Sequence, residues 1–168
     1  MTKNMISDLV VSWVEQASED MRCSLAIFER GGWSNSSLMA QQCAEKMSKA
    51  ILIHAGKDLV HTHNMSKLTQ SLIEIGLIGN KDDFMEPARA LNQVFWMSRY
   101  PQAELEEAPY KAFSQAQAEL AIEYGLNYYD LAMHIFGDDV KPILLDKRNE
   151  IQQLWETIRP KVVVSRQR

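Results

Sequence analysis

Residues 6–28 read ISDLVVSWVEQASEDMRCSLAIF, and this stretch decides the fold class. Ile6, Leu9, Val10, Trp13, Val14, Ala17, Met21, Leu25 and Phe28 recur at intervals of three and four. That spacing places them on one stripe of an α-helix, with polar neighbours on the other side. Gly31-Gly32 ends the helix, because glycine readily takes the left-handed conformation that closes a last turn. A stripe of this length must be covered by other elements.

The same period continues outward from it. Ser34, Asn35 and Ser36 suit the cap of a second helix over 37–55, with Met39, Cys43, Met47, Ala50, Ile51 and His54 on its stripe and Gly56 as its stop. After the loop from Lys57 to His63, Asn64 suits the cap of a third, which carries Leu68, Leu72 and Ile75 and closes at Gly76 or Gly79. Asp82 or Asp83 caps a fourth, with Phe84, Ala88, Leu91 and Phe95 inward. Pro101 ends it, because a proline pushes the residue before it out of helical geometry. Pro109 opens a fifth, whose stripe runs through Phe113, Ala116, Leu120, Ala121, Tyr124, Tyr128, Leu131 and Ile135 until Gly137, Asp138 and Asp139 break it. A sixth covers 143–158, through Ile151, Leu154, Trp155 and Ile158, and stops before Pro160. No segment alternates with period two for long enough to argue a strand. The expectation is all-α: an up-and-down bundle of five or six helices, one domain over 1–160, and a short basic, frayed tail over 161–168.

Composition agrees. The 168 residues are 46% hydrophobic and 24% charged, which suits one domain with a substantial core. Seven glycines and five prolines are few for a turn-rich all-β chain. The net charge of −4 gives no overall basic field of the kind a free-standing nucleic-acid binder carries, although a local basic patch is compatible with it. Cys23 and Cys43 lie in helical patterns and read as small apolar residues with free thiols. Asp8, Glu15, Glu19 and Asp20 interrupt the start, so no signal peptide is expected, and no apolar run nears the ~18 residues of a membrane span. The expected setting is cytoplasmic and reducing.

Short polar words sit on these helices. The first carries Trp13, Ala17 and Asp20 as W-x3-A-x2-D. The second carries Gln41 to Ala50 as QQ-x-AEK-x2-KA. His63 follows in a Thr-His-Asn context, with Leu68 and Leu72 after it, and Arg99-Tyr100-Pro101 closes the fourth helix. In this order the words resemble the prokaryotic HEPN family, especially its stand-alone members with an RYP motif, over about Leu9 to Ile135. The resemblance implies a helical bundle that usually forms homodimers. It also implies association with nucleotides, with partner nucleotidyltransferases, with toxin–antitoxin systems, or with RNA cleavage. RNA-cleaving members carry an arginine followed four to six residues later by a histidine, and no arginine here has that neighbour. That absence points away from catalysis by the family's usual route.

The candidate ligand-binding residues are Gln42, Glu45, Lys46, Lys49, His63, Arg99 and Tyr100. The first four share one helix face, where lysines can meet phosphate; the plainer alternative is a solvated face with a weak Glu45–Lys49 pair. Arg99 and Tyr100 suit a phosphate clamp and a base-stacking ring; the alternative is a helix end, where arginine complements the dipole. His61 and His63 form an H-x-H pair without the three or four ligands a metal needs, so no metal and no cofactor are expected. Trp13, Trp33, Trp96 and Trp155, with Tyr124, Tyr128 and Tyr129, read as core or dimer packing. The helix from Phe113 to Ile135 is the candidate two-fold interface. The functional expectation is a nucleotide-binding or nucleotidyltransferase-partner module. The alternatives are an RNase with a non-standard site, using His63, and a non-catalytic dimeric interaction protein.

Overall fold

The computed structural model describes residues 3–101, 107–138 and 140–165, with side chains described between 8 and 159. The order is α1 (Lys3–Glu29), α2 (Trp33–His54), α3 (Met65–Glu74), α4 (Asp82–Met97), the single turn α5 (Pro109–Ala112), α6 (Gln115–Ile135) and α7 (Lys141–Ser165). Among the described residues there is no strand.

α2 is the centre. Cys43, Ala44, Met47, Ala50 and Ile51 have no exposed surface, and Leu52 and Ile53 are buried beside them. α1 and α6 pack along α2, α3 and α4 pair beside it, and α7 lies against α1 and α6. The stripe of α1 is buried as its spacing requires: Val10, Val14, Ala17, Met21, Leu25 and Phe28 all face inward.

Small residues let the helices come close. Ser24 of α1 donates to the Ser36 carbonyl at 2.7 Å, and Ser36 donates back to the Ser24 carbonyl at 2.9 Å. At Gly125 of α6 an added Cβ would stand 2.6 Å from the Met21 methyl and 2.9 Å from the Ala40 carbonyl oxygen. Glycine inside a helix costs about 1 kcal/mol relative to alanine, so its place here follows from packing.

Two adjacent tyrosines of α6 tie opposite sides of the bundle. Tyr128 bonds Thr69 at 2.6 Å and donates to the Phe84 carbonyl at 3.3 Å. Tyr129 bonds Ser18 at 2.8 Å and donates to the Leu144 carbonyl at 3.3 Å. Burial pushes the Tyr128 phenol up to about 12, against the lowering effect of Thr69. Both rings lie in the core, one of the two places the sequence allowed them.

Several boundaries differ from the sequence reading. α2 begins at Trp33 after Gly32, without a side-chain cap, and Ser34 and Ser36 are buried inside the helix rather than capping it. His54, expected on the buried stripe, is exposed at the end of α2, edge-on to Phe136. α3 closes at Gly76, which takes φ +76, while Leu77 donates to the Leu72 carbonyl. The N-cap of α4 is Lys81, and Asn80 rather than an aspartate accepts the Asp82 amide.

The expected fifth helix is two. Phe113 is extended, and Ser114 and Gln117 form a reciprocal capping box that restarts the helix as α6. The buried stripe of α6 therefore runs through Ala118, Ala121, Ile122, Gly125, Leu126 and Ala132, leaving Ala116 and Leu120 outside. α7 continues past Pro160 to Ser165, because a proline removes one backbone bond and need not end the helix beyond it. Asp139, residues 166–168 of the expected tail and the Ile6 side chain lie outside the described residues.

Gly125→Ala forces Met21 and the Ala40 carbonyl apart. A loss of about 1–3 kcal/mol is expected despite the better helix propensity, read from urea unfolding against wild type.

Candidate functional site

The polar face of α2 is not solvated. Glu45 is 3% and Lys49 7% exposed, although the helix turns them toward the loop before α3. A carboxylate so placed must be hydrogen-bonded within the chain. Lys49 Nζ reaches Glu45 Oε1 at 2.8 Å, Gln41 Nε2 reaches Oε2 at 3.0 Å, and His63 Nδ1 lies 3.0 Å from Oε1. Burial pushes the Glu45 carboxyl up, but the bonds from Lys49 and Gln41 and the charges of Lys49 and His63 outweigh it, so the group titrates below the usual glutamate range.

The network runs on into α1. Gln42 Nε2 donates to Gln41 Oε1 at 2.8 Å, and Lys46 Nζ donates to Gln42 Oε1 at 3.2 Å. Lys46 also pairs with Asp20, which in turn accepts from Gln16 Nε2 at 2.9 Å. Lys49 lies 5.7 Å from the centre of the Trp13 ring. The two sequence words of α1 and α2 are thus one polar seam, buried at Asp20, Gln41, Glu45 and Lys49 and half-buried at Gln42 and Lys46.

His63 connects that seam to the surface. Its ring is parallel to Phe95 at 4.8 Å, within 15°. The Arg99 guanidinium lies 4.3 Å from the same Phe95 ring. Trp96 meets Phe95 edge-on at 5.2 Å and stands 6.5 Å from Tyr100; these two rings are 60% and 55% exposed. Beside His63 opens a cleft of about 490 Å³. His61, Thr62, Asn64 and Lys67 form one wall, and Asn92, Phe95 and Trp96 the other. Asn92 fixes the walls together: its Oδ1 accepts the Met65 amide at 2.6 Å, and its Nδ2 donates to Ser66 Oγ at 2.8 Å and Asn64 Oδ1 at 3.2 Å.

The predicted residues therefore divide. Glu45, Lys49 and His63 meet directly, and Arg99 joins them through Phe95. Tyr100 stands on the rim beside Trp96. Lys46 and Gln42 turn to Asp20 and α1. Lys46 and Lys49 are both engaged by carboxylates, with side chains 20% and 8% exposed. Sequence reasoning did not single out Gln41, Asn92, Phe95 or Trp96 for the site. Asp20 and Gln41 were visible as motif letters, and Phe95 only as core; nothing in the sequence marked Asn92. Among the described residues no group of three or more histidines, cysteines or acids is arranged to hold a metal ion. Cys23 and Cys43 are free thiols, and burial pushes both up.

An all-helical bundle with a buried Glu–Lys pair, met by an exposed histidine beside a surface cleft, is the class these features define. The HEPN domain pattern matches residues 10–132, and the chain belongs to that family. Two solved structures share its fold. One is TT1696 from Thermus thermophilus, 22% identical with a TM-score of 0.70, covering 76% of this chain and 98% of that one. The other is ST0689, an archaeal HEPN homologue, 26% identical with a TM-score of 0.61, covering 73% and 93%. No curated protein matches the chain. No described helix is long and apolar enough to cross a membrane.

Two outcomes follow from the buried pair. Lys49→Met strands the Glu45 carboxylate and is expected to lower stability by about 3–5 kcal/mol in urea unfolding. Glu45 also has a pH signature. Its folded pKa is depressed, so its stabilisation is present above the unfolded glutamate value and is lost as pH falls through the folded one. Unfolding curves across the acid range should fall less steeply for Glu45→Gln than for wild type.

Proposed function

We propose that the protein is a nucleotide-binding module whose ligand occupies the cleft between the α2–α3 loop and α4. The observation that carries this reading is the meeting of His63, the exposed Trp96 ring and Lys67 in the lining of one cleft, with Arg99 against Phe95 and Tyr100 near Trp96 next to it. Trp96 and Tyr100 offer π-faces on which a base can stack. Lys67 on the cleft wall and Arg99 on the Phe95 ring are exposed cations that suit phosphate, Arg99 by its planar fork. The cleft volume of about 490 Å³ falls within the range of small-molecule sites. Glu45 and Lys49 serve beneath it as support, Gln42 and Lys46 as the seam that holds α1 to α2. On this reading the chain acts as a homodimer and as the partner of a nucleotidyltransferase, in a toxin–antitoxin type pair.

A second reading is favoured by one contact. Glu45 orients His63, and an imidazole held by a carboxylate suits acid–base chemistry near neutral pH. That would make the protein an RNase with a non-standard site. Growth arrest on expression, relieved by His63→Ala, supports it; unaffected growth with intact RNA removes it.

Calorimetric titration with ATP, GTP and AMP tests the first reading. Binding of at least one is expected, weakened about tenfold by Trp96→Ala and by Arg99→Ala, in line with the ~1–3 kcal/mol of a stacked base. No heat from any of the three contradicts it.

A further inference from the structure

The hydrogen bonds around Glu45 require that Nδ1 of His63 carry a proton. An ionised carboxylate has only acceptor sites. Lys49 can only donate to it, and Gln41 donates through its amide nitrogen. Nδ1 of His63, at 3.0 Å from Oε1 and 3.3 Å from Oε2, must therefore be a donor as well. In a neutral imidazole one nitrogen donates and the other accepts, so Nε2 is left as an acceptor. Phe95 holds the ring plane by stacking, and Nε2 takes no hydrogen bond among the described residues. The two side-chain amide oxygens of the cleft are already engaged. Asn64 Oδ1 takes the Lys67 amide and Asn92 Nδ2, and Asn92 Oδ1 takes the Met65 amide.

We infer that Glu45 is a positioning residue that locks the neutral His63 ring as its Nδ1–H tautomer, so that Nε2 presents a hydrogen-bond acceptor to a donor group of the bound nucleotide, a ribose hydroxyl or an exocyclic amine. The inference rests on the nucleotide reading for its ligand, but the tautomer itself does not. A free imidazole has no such lock and exchanges its proton between both nitrogens. Here the buried Lys49 and Gln41 keep the carboxylate in place, so the lock belongs to the fold and exists before any ligand arrives. While the ring is neutral the site discriminates: a ligand presenting an acceptor to Nε2 meets lone pair against lone pair, whereas a donor completes the ring's open hydrogen bond.

Long-range proton–nitrogen correlation spectra of the nitrogen-labelled full chain, at about pH 8 where an ordinary histidine is neutral, read the tautomer directly. The expected wild-type pattern for His63 is a protonated Nδ1 and an unprotonated Nε2; the opposite pattern, or one averaged between both nitrogens, overturns the inference. Glu45→Gln, checked for folding by circular dichroism, should release the lock to an averaged pattern and weaken AMP binding about tenfold, with a larger effect than Gln42→Ala. The wild-type spectrum decides the matter even if Glu45→Gln fails to fold. Titration with AMP, inosine monophosphate and dideoxy-AMP separates the sources of the donor. Loss of the Nε2 response with inosine monophosphate assigns it to the amine, and loss with dideoxy-AMP to the ribose. The Nδ1–H pattern without any response to nucleotides supports the role of Glu45 and overturns the nucleotide reading. Nucleotide binding with the other tautomer leaves that reading intact and overturns this one.

Discussion

Glu45 sits on the central helix, 3% exposed, largely shielded from water. A carboxylate in that position is tolerated only when its oxygens are fully bonded, because the desolvation of an unpaired charge costs several kcal/mol. Three side chains answer that demand. α2 supplies Lys49 and Gln41 from its own turns, and the loop before α3 supplies His63. Lys46 and Gln42 then extend the same network to Asp20 of α1. The polar seam fixes the register of α1 on α2 as much as the apolar stripes do, and it fixes where the loop carrying His63 must lie. The cleft follows from that placement.

The architecture was readable because burial leaves a period. The stripes of α1 and α7 and the inward residues Leu68, Leu72, Leu91 and Phe95 are where their spacing puts them. Helix ends were less readable. Serines are favoured caps, but Ser36 is also small enough to let α1 and α2 touch, and contact won. Phe113 and Ser114 show the opposite case: a continuous apolar pattern hid a break that only the capping box of Ser114 and Gln117 betrays. The rotated stripe of α6 follows from it, since Gly125 and its alanine neighbours bring the backbone close to α2 while larger residues such as Leu120 point away.

The site was half legible. Glu45 and Lys49 stand four apart, which on a solvated helix is a common and weak surface pair. Nothing local distinguishes that pair from a buried one; the difference comes from Trp13, Gln41 and His63, which arrive from elsewhere in the chain or the helix. The polar words of α1 and α2 lie on faces that meet, because buried polar groups need partners and the partners are other members of the same words. Phe95 was legible only as a core residue, yet it carries both His63 and Arg99 on its ring. Its neighbour Trp96, read as packing, stands exposed on the cleft. Asn92 had no signal at all, because a side chain that caps another helix from across a hairpin leaves no trace in spacing.

The central claim is that Glu45 and Lys49 form a buried, mutually dependent pair rather than a surface ornament. A double-mutant cycle of Glu45→Gln and Lys49→Met, measured by urea unfolding, tests it most directly. The account predicts a coupling energy of about 1–3 kcal/mol, with the double variant more stable than the two single losses sum to. A coupling at or below the ~0.3–0.5 kcal/mol of an exposed helical pair would contradict it.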